Sequence, residues 1–152
     1  MAFRGTYQHT LDAKHRLTVP ARFRDDFEAG VVIVKGVDPC VELWRPQEYE
    51  AHVDSATENL ATMSPQMRQM LRLMQGSAFD TALDKVGRVG LTEQLRAHGA
   101  LEKDVVLIGV GRCLELWNRE RWEQHEAGLA AAVNTFTAAA PSHVAPPAAP
   151  AL

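Results

Sequence analysis

Two cations, Lys14 and Arg16, stand one residue apart in the run Leu11-Asp12-Ala13-Lys14-His15-Arg16-Leu17. On an extended arm they project to the same side, because side chains alternate along a strand. An ammonium beside a guanidinium suits the phosphates of a nucleic-acid backbone, and Arg can also grip a guanine edge through two parallel hydrogen bonds. Asp12 opens the turn, where its carboxylate can accept from backbone amides two or three residues on. By itself an Asp and an Arg four apart describe no more than a surface ion pair.

Duplication lifts the motif above that reading. The pattern returns as Leu83-Asp84-Lys85-Val86-Gly87-Arg88-Val89, Cys40-Val41-Glu42-Leu43-Trp44 returns as Cys113-Leu114-Glu115-Leu116-Trp117, and His52 returns as His125. All three hold one register of about 73 residues, so a single unit occurs twice. Enzymes rarely need one loop twice, whereas proteins that grip a repetitive polymer often do.

Other chemistry is weakly represented. His9, His15, His52, His98, His125 and His143 are scattered, and none forms a zinc-type spacing with the two cysteines. Gly109-Val110-Gly111-Arg112 lacks the Lys-Ser/Thr ending of a phosphate loop. No nucleophile–base pair or carboxylate pair stands out, so the expectation is a non-enzyme without metal or cofactor. Cys40 and Cys113 occupy matched positions; the expectation is free, buried thiols in a reducing compartment.

The net charge of −3 argues against a nucleic-acid binder only if charge is spread evenly. It is not. Before Asp25 the only acid is Asp12, set against Arg4, Lys14, Arg16, Arg22 and Arg24, while acids gather in the Glu48–Glu58 and Glu115–Glu126 stretches. Segregation of this kind can give one basic face on a mildly acidic body. No leader-like segment and no apolar run of membrane-spanning length is apparent, so the expectation is a cytoplasmic protein with no membrane partner.

The elements that must position these residues follow from local signals. Tyr7–Leu11 and Arg16–Val19 read as the two arms of a hairpin around a polar break. Pro20 precedes a helix over Ala21–Ala29 that Gly30 stops. Val31–Val34 reads as a strand buried on both faces, and Val41–Trp44 as its neighbour, followed by a helix from Pro46 through Val53. The second copy repeats the plan, with Thr92 capping a helix over Glu93–His98 that Gly99 ends, strands at Val105–Ile108 and Leu114–Trp117, and Asn118 capping a last helix through Trp122. Tyr49 and Trp122 correspond, so each copy is expected to pack one aromatic on its own sheet. Between the copies, Ser64 and Pro65 open a helix that Gly76 closes, with Met63, Met67, Met70, Leu71 and Met74 on one face as a core or subunit contact. From residue 137 the Ala- and Pro-rich tail is expected to be disordered.

The opening Phe3-Arg4-Gly5-Thr6-Tyr7 and the run from His9 to Arg24, together with the second Asp-x-x-x-Arg and the Glu-Leu-Trp strand, resemble the MraZ family of bacterial transcriptional regulators. The resemblance extends from Phe3 to about Trp122. It implies an α+β, mainly β fold of two tandem swapped-hairpin modules, like those of AbrB and SpoVT, forming an intramolecular pseudo-two-fold barrel with short flanking helices. The modules would span 7–47 and 76–119, with linker helices over 48–75, a C-terminal helix over 120–136 and the tail over 137–152.

The resemblance also implies sequence-specific binding to double-stranded DNA. The site would be direct repeats upstream of the protein's own operon, in the division and cell-wall gene cluster. The protein would act as a ring-like homo-oligomer at the nucleoid and have no small-molecule substrate. It places Lys14 and Arg16 on the first DNA-contacting arm and Arg88 on the second. Asp12 and Asp84 would support the turns, and Arg4 and Arg22 would be phosphate contacts. His15 departs from the family's usual Gly, and Val86 stands where the first copy has Lys14, which leaves open a structural role for the second arm. The alternative is a protein-interaction scaffold or antitoxin-like module of the same fold.

Overall fold

A computed structural model describes residues 1–139. Along the chain, β1 (Phe3–Thr10) and β2 (Arg16–Thr18) precede α1 (Ala21–Arg24), which tightens into a 3₁₀ turn over Asp25–Phe27. Next come β3 (Val31–Lys35), β4 (Val41–Trp44), α2 (Pro46–Thr57) and α3 (Pro65–Gly76). The second copy supplies β5 (Phe79–Thr81), β6 (Arg88–Gly90), α4 (Glu93–Gly99), β7 (Asp104–Gly111) and β8 (Cys113–Asn118), and α5 (Arg119–Ala139) follows. Met1–Trp122 form one compact unit, and residues from Glu123 onward belong to a second, in which α5 continues to Ala139. Thr137–Ala139 are thus helical, and the rest of the Ala/Pro-rich tail lies outside the described residues.

The fold is α+β with a mainly β core. Six strands form an antiparallel sheet in the order β1-β7-β8-β4-β3-β5, and β2 and β6 form a separate two-stranded ribbon. One sequence expectation is corrected here. The segments flanking the Asp12 turn do not pair with each other as a hairpin: β1 pairs with β7 along its whole length, and β2 pairs with β6. Likewise β5 pairs with β3. Each copy therefore lends its first strand to the other. An isolated hairpin is marginal in water, whereas β1 finds in β7 a partner of its own eight-residue length.

The sheet has two apolar faces. Val31, Ile33, Val41, Leu43, Val105, Leu107, Leu114 and Leu116 point to one side, where Phe3, Phe23 and Phe27, Leu95 of α4, and the ribbon residues Leu17 and Val89 complete the main core. Val32, Val34, Trp44 and Cys113 face the other side, under Tyr49 and Val53 of α2. On that same side Cys40, Val106, Ile108 and Trp117 form a third cluster against Trp122. The β3 strand is buried on both faces, as its continuous apolar run predicts.

The expected aromatic packing is also present. The Trp44–Tyr49 ring centroids lie 5.5 Å apart at 66°, and the Trp117–Trp122 centroids 5.5 Å apart at 62°. His52 stacks on Trp44 at 4.5 Å, a packing role. Both cysteines are free and buried. They exchange sides, since Cys40 joins the second copy's aromatics and Cys113 the first copy's.

The N-caps read from sequence at Ser64, Thr92 and Asn118 are formed, and one C-terminal end differs. Ser64 Oγ accepts from Met67 N at 3.1 Å, Thr92 Oγ1 from Leu95 N at 3.3 Å, and Asn118 Oδ1 from Arg121 N at 3.1 Å. At the end of α4 it is Ala100, not Gly99, that turns left-handed, with φ 48°. Gly99 lies close against Leu101, whose Cγ would be 3.0 Å from a Cβ there and would have to shift slightly for a larger residue. The methionine face of α3 is only half-buried, with Leu71 and Met74 packed on the α2 side of the sheet and Met63 exposed. No described helix is long and apolar enough to cross a membrane.

Candidate nucleic-acid interface

The two Asp-x-x-x-Arg turns are built bond for bond alike. In the first, Asp12 N donates to Arg16 O at 3.1 Å and His15 N to Asp12 O at 2.9 Å. Asp12 Oδ1 accepts from the backbone N–H groups of Lys14 and Arg16, both at 2.9 Å, while Oδ2 accepts from Arg16 Nε at 2.8 Å. In the second, Asp84 N donates to Arg88 O at 2.9 Å and Gly87 N to Asp84 O at 3.0 Å. Asp84 Oδ1 takes the N–H groups of Val86 and Arg88 at 2.9 Å each, and Oδ2 takes Arg88 Nε at 2.7 Å.

The fourth turn position is left-handed in both, at His15 with φ 58° and Gly87 with φ 81°. His tolerates that region better than β-branched residues do. Lys14 thus sits exposed within a turn rather than on an extended arm, and strand alternation does not govern its direction.

These bonds set the carboxyl charge. The Arg16 backbone N–H holds Asp12 below its usual range, partial desolvation opposes this, and the Arg16 side chain and Lys14 N–H add to the lowering. Asp84 is lowered to about 2, foremost by the Arg88 backbone N–H. Both turns therefore keep their anion and its grip on Arg Nε across the neutral range. Each guanidinium has its Nε edge occupied, and its two terminal nitrogens bond to no described residue. That leaves an oriented end suited to two parallel bonds with a planar acceptor pair.

The ribbon joins the turns into one surface. Its pairs are Arg16↔Gly90, Leu17↔Val89 and Thr18↔Arg88. Leu17 and Val89, at 0% and 1% exposure, point into the core, so Arg16, Thr18 and Arg88 share the opposite, outward face. His15 O accepts from Leu91 N at 3.4 Å and Gly87 O from Val19 N at 2.9 Å, which extends the pairing at both ends.

The other two predicted cations lie apart from this surface. Arg4 sits exposed at the far end of β1 from the Asp12 turn. Arg22 is exposed on α1, where its guanidinium lies 5.1 Å from the Tyr7 ring centroid and donates to Tyr7 Oη at 2.8 Å. Two arginines that sequence reasoning passed over stand behind the turns. Arg24 Nε donates to Val19 O at 2.9 Å and fills the corner where a Cβ on Gly87 would lie 2.3 Å away. Its counterpart Arg96 lines a cleft of about 570 Å³ with His15, Asp12 and Lys103, and its Nε is buried without a partner. His15 brings a side chain to the corner that glycine leaves free at Gly87. The matched positions of Arg24 and Arg96 in the repeat were the available signal.

The sequence has known relatives. Residues 2–72 and again 74–141 match the family model described as "MraZ protein, putative antitoxin-like". This chain belongs to the MraZ family. It is similar to the protein named Transcriptional regulator MraZ of Moorella thermoacetica, 37% identical over 123 residues that cover 81% of this chain and 85% of the relative. It is 35% identical to that of Carboxydothermus hydrogenoformans over 130 residues, covering 86% and 90%, and 34% identical to that of Thermoanaerobacter sp. over 121 residues, covering 80% and 84%. The two MraZ matches divide the chain between the copies and assign one Asp-x-x-x-Arg turn to each.

Proposed function

We propose that this MraZ-family protein is a sequence-specific DNA-binding transcriptional regulator whose two Asp-braced turns and connecting ribbon form one contact surface. The observation that carries this is the shared outward face of Arg16 and Arg88, each with its Nε held by a carboxylate and its terminal nitrogens bonded to no described residue. Relatives carrying the name transcriptional regulator support the same role. The exchange of first strands between copies fits two swapped-hairpin modules closed on each other within one chain.

Arg16 and Arg88 read base edges, Lys14 contacts phosphate, and Arg4 and Arg22 contribute to the wider field. Asp12 and Asp84 act as positioning residues. So small a surface binds weakly at physiological salt, and self-association supplies the affinity by linking many copies. A cyclic homo-oligomer presents its surfaces in one orientation and so favours direct repeats, here placed upstream of the protein's own operon in the division and cell-wall gene cluster. The protein then resides in the cytoplasm at the nucleoid.

Footprinting on the upstream region tests this reading. Evenly spaced protections in one orientation are expected, and light scattering is expected to give a mass far above the 16.8 kDa chain. A lone palindromic footprint, or a monomer that protects nothing, overturns it. Salt-insensitive capture of one protein partner without DNA retention would favour the scaffold instead.

A further inference from the structure

The sheet face away from the ribbon carries a second cluster, at the junction of the two copies. Glu42 and Glu115 stand directly opposite each other in the β4–β8 register, an arrangement in which like charges repel. Both are half-buried. Each accepts one bond from the tryptophan two residues on, Trp44 Nε1 to Glu42 Oε1 at 3.0 Å and Trp117 Nε1 to Glu115 Oε1 at 3.2 Å. Among the described residues, no Lys, Arg or His forms an ion pair with either carboxylate. Two acidic groups therefore face each other across the strands with no described cation paired to either. The Cys40 thiol, wholly buried and outside any disulfide, closes the third side, its Sγ within 4.8 Å of a carboxylate oxygen of each glutamate.

We infer that Cys40 Sγ and one carboxylate oxygen each from Glu42 and Glu115, all within 4.8 Å of one another, form a binding site for a thiophilic divalent cation of the zinc class. A dication between the facing carboxylates offsets a like-charge pair that no described Lys, Arg or His neutralises. The sulfur donor selects zinc-like ions over magnesium or calcium, which prefer all-oxygen sites. Bond lengths of about 2.0 Å to oxygen and 2.3 Å to sulfur place tetrahedral donors roughly 3.5 Å apart, so the donors, within 4.8 Å of one another, close by at most about 1.3 Å on binding. Each carboxylate also accepts a tryptophan N–H, the kind of outer contact that orients metal ligands. On binding, the Cys40 S–H bond breaks, a sulfur–metal bond forms and the proton leaves to solvent. Water takes the remaining position. Sequence spacing hides this site because its donors come from different copies.

Titration of the untagged, metal-free full chain with Co²⁺ alone tests the inference without nucleic acid, so its outcome is independent of the DNA-binding reading. The expected result is about one ion per chain, a near-ultraviolet thiolate-to-cobalt band, about one proton released, and displacement by Zn²⁺. Cys40→Ser is expected to abolish the band, Glu42→Gln and Glu115→Gln to weaken binding at least about tenfold, and Cys113→Ser to leave it unchanged. Absence of a thiolate band in the native chain overturns the proposal, as does a band that survives Cys40→Ser. The native titration alone can deliver the negative result, so a variant that fails to fold leaves the test intact.

Discussion

Arg16 and Arg88 lie diagonally across the ribbon on its outward face, with the Leu17–Val89 pair directly beneath them. Diagonal neighbours of this kind sit about 7–8 Å apart. Each head is drawn toward its own aspartate at an opposite end of the ribbon. The buried pair ties the spacing of the two guanidiniums to the core, so the copies present a fixed pair rather than two independent loops.

Arg16→Ala and Arg88→Ala are therefore each expected to lose about 1–3 kcal/mol of discrimination at a distinct base position. Thermal midpoints are expected to stay within about 2 °C of wild type, because both side chains lie outside the core. Gel shifts on single-base operator variants measure this. Equal loss across all sequences would reassign either residue to the phosphates.

The Asp84 carboxyl, lowered to about 2 in the fold from an ordinary value of 3.8, links the second turn to pH. A carboxylate depressed on folding contributes stability in full above its unfolded value, and that contribution is lost as pH falls through the folded one. Denaturant unfolding of the native chain is expected to show this loss between about pH 4 and pH 2, and Asp84→Asn is expected to remove that part of the acid dependence. Parallel acid profiles for the two proteins would mean that the carboxylate does not brace the turn.

The two left-handed corners are expected to respond unequally to substitution. Gly87→Ala places a Cβ 2.3 Å from Arg24 Nε at φ 81°, so it strains the backbone and displaces a guanidinium bonded to Val19 O. A loss of about 2 kcal/mol is expected. His15→Gly relieves the left-handed strain while adding chain entropy to the unfolded state, and a net change within about 1 kcal/mol is expected. Calorimetry on both variants tests the asymmetry; a larger loss at His15 than at Gly87 would contradict it.

Gly109→Ala probes the exchange of first strands. A Cβ at Gly109 would lie 2.3 Å from Arg4 N and 2.5 Å from Phe3 C, both backbone atoms of β1. Side-chain rotation cannot relieve that clash, so a loss of at least about 3 kcal/mol is expected in a thermal or denaturant melt. An unchanged midpoint would show that β1 does not run beside β7.

Much of the local structure was legible from residue type. Ser64, Thr92 and Asn118 announce helix starts because their side-chain oxygens satisfy free amides, and all three do so. The β3 run announces a doubly buried strand. The Asp12 and Asp84 turns were readable for the same reason, since a carboxylate four residues before an arginine can close the turn upon itself. Partner choice was not readable. The hairpin read between Tyr7–Leu11 and Arg16–Val19 is not formed, because alternation reports which face is buried and not what lies beside it. The left-handed Ala100 was missed because Gly99 gave the stronger local signal, although Gly99 itself is not left-handed and lies close against the Leu101 side chain.

Sequence by itself determined the duplication, the paired turns and the residue types each turn offers, because these depend on spacing and short-range hydrogen bonding. Tertiary structure decided that β1 joins β7, that Arg16 and Arg88 share one face, and that Cys40, Glu42 and Glu115 converge at the junction of the copies. The reason is physical: the core that buries Leu17 against Val89 and the sheet that sets Glu42 opposite Glu115 unite residues about 73 positions apart, a separation over which no local preference acts.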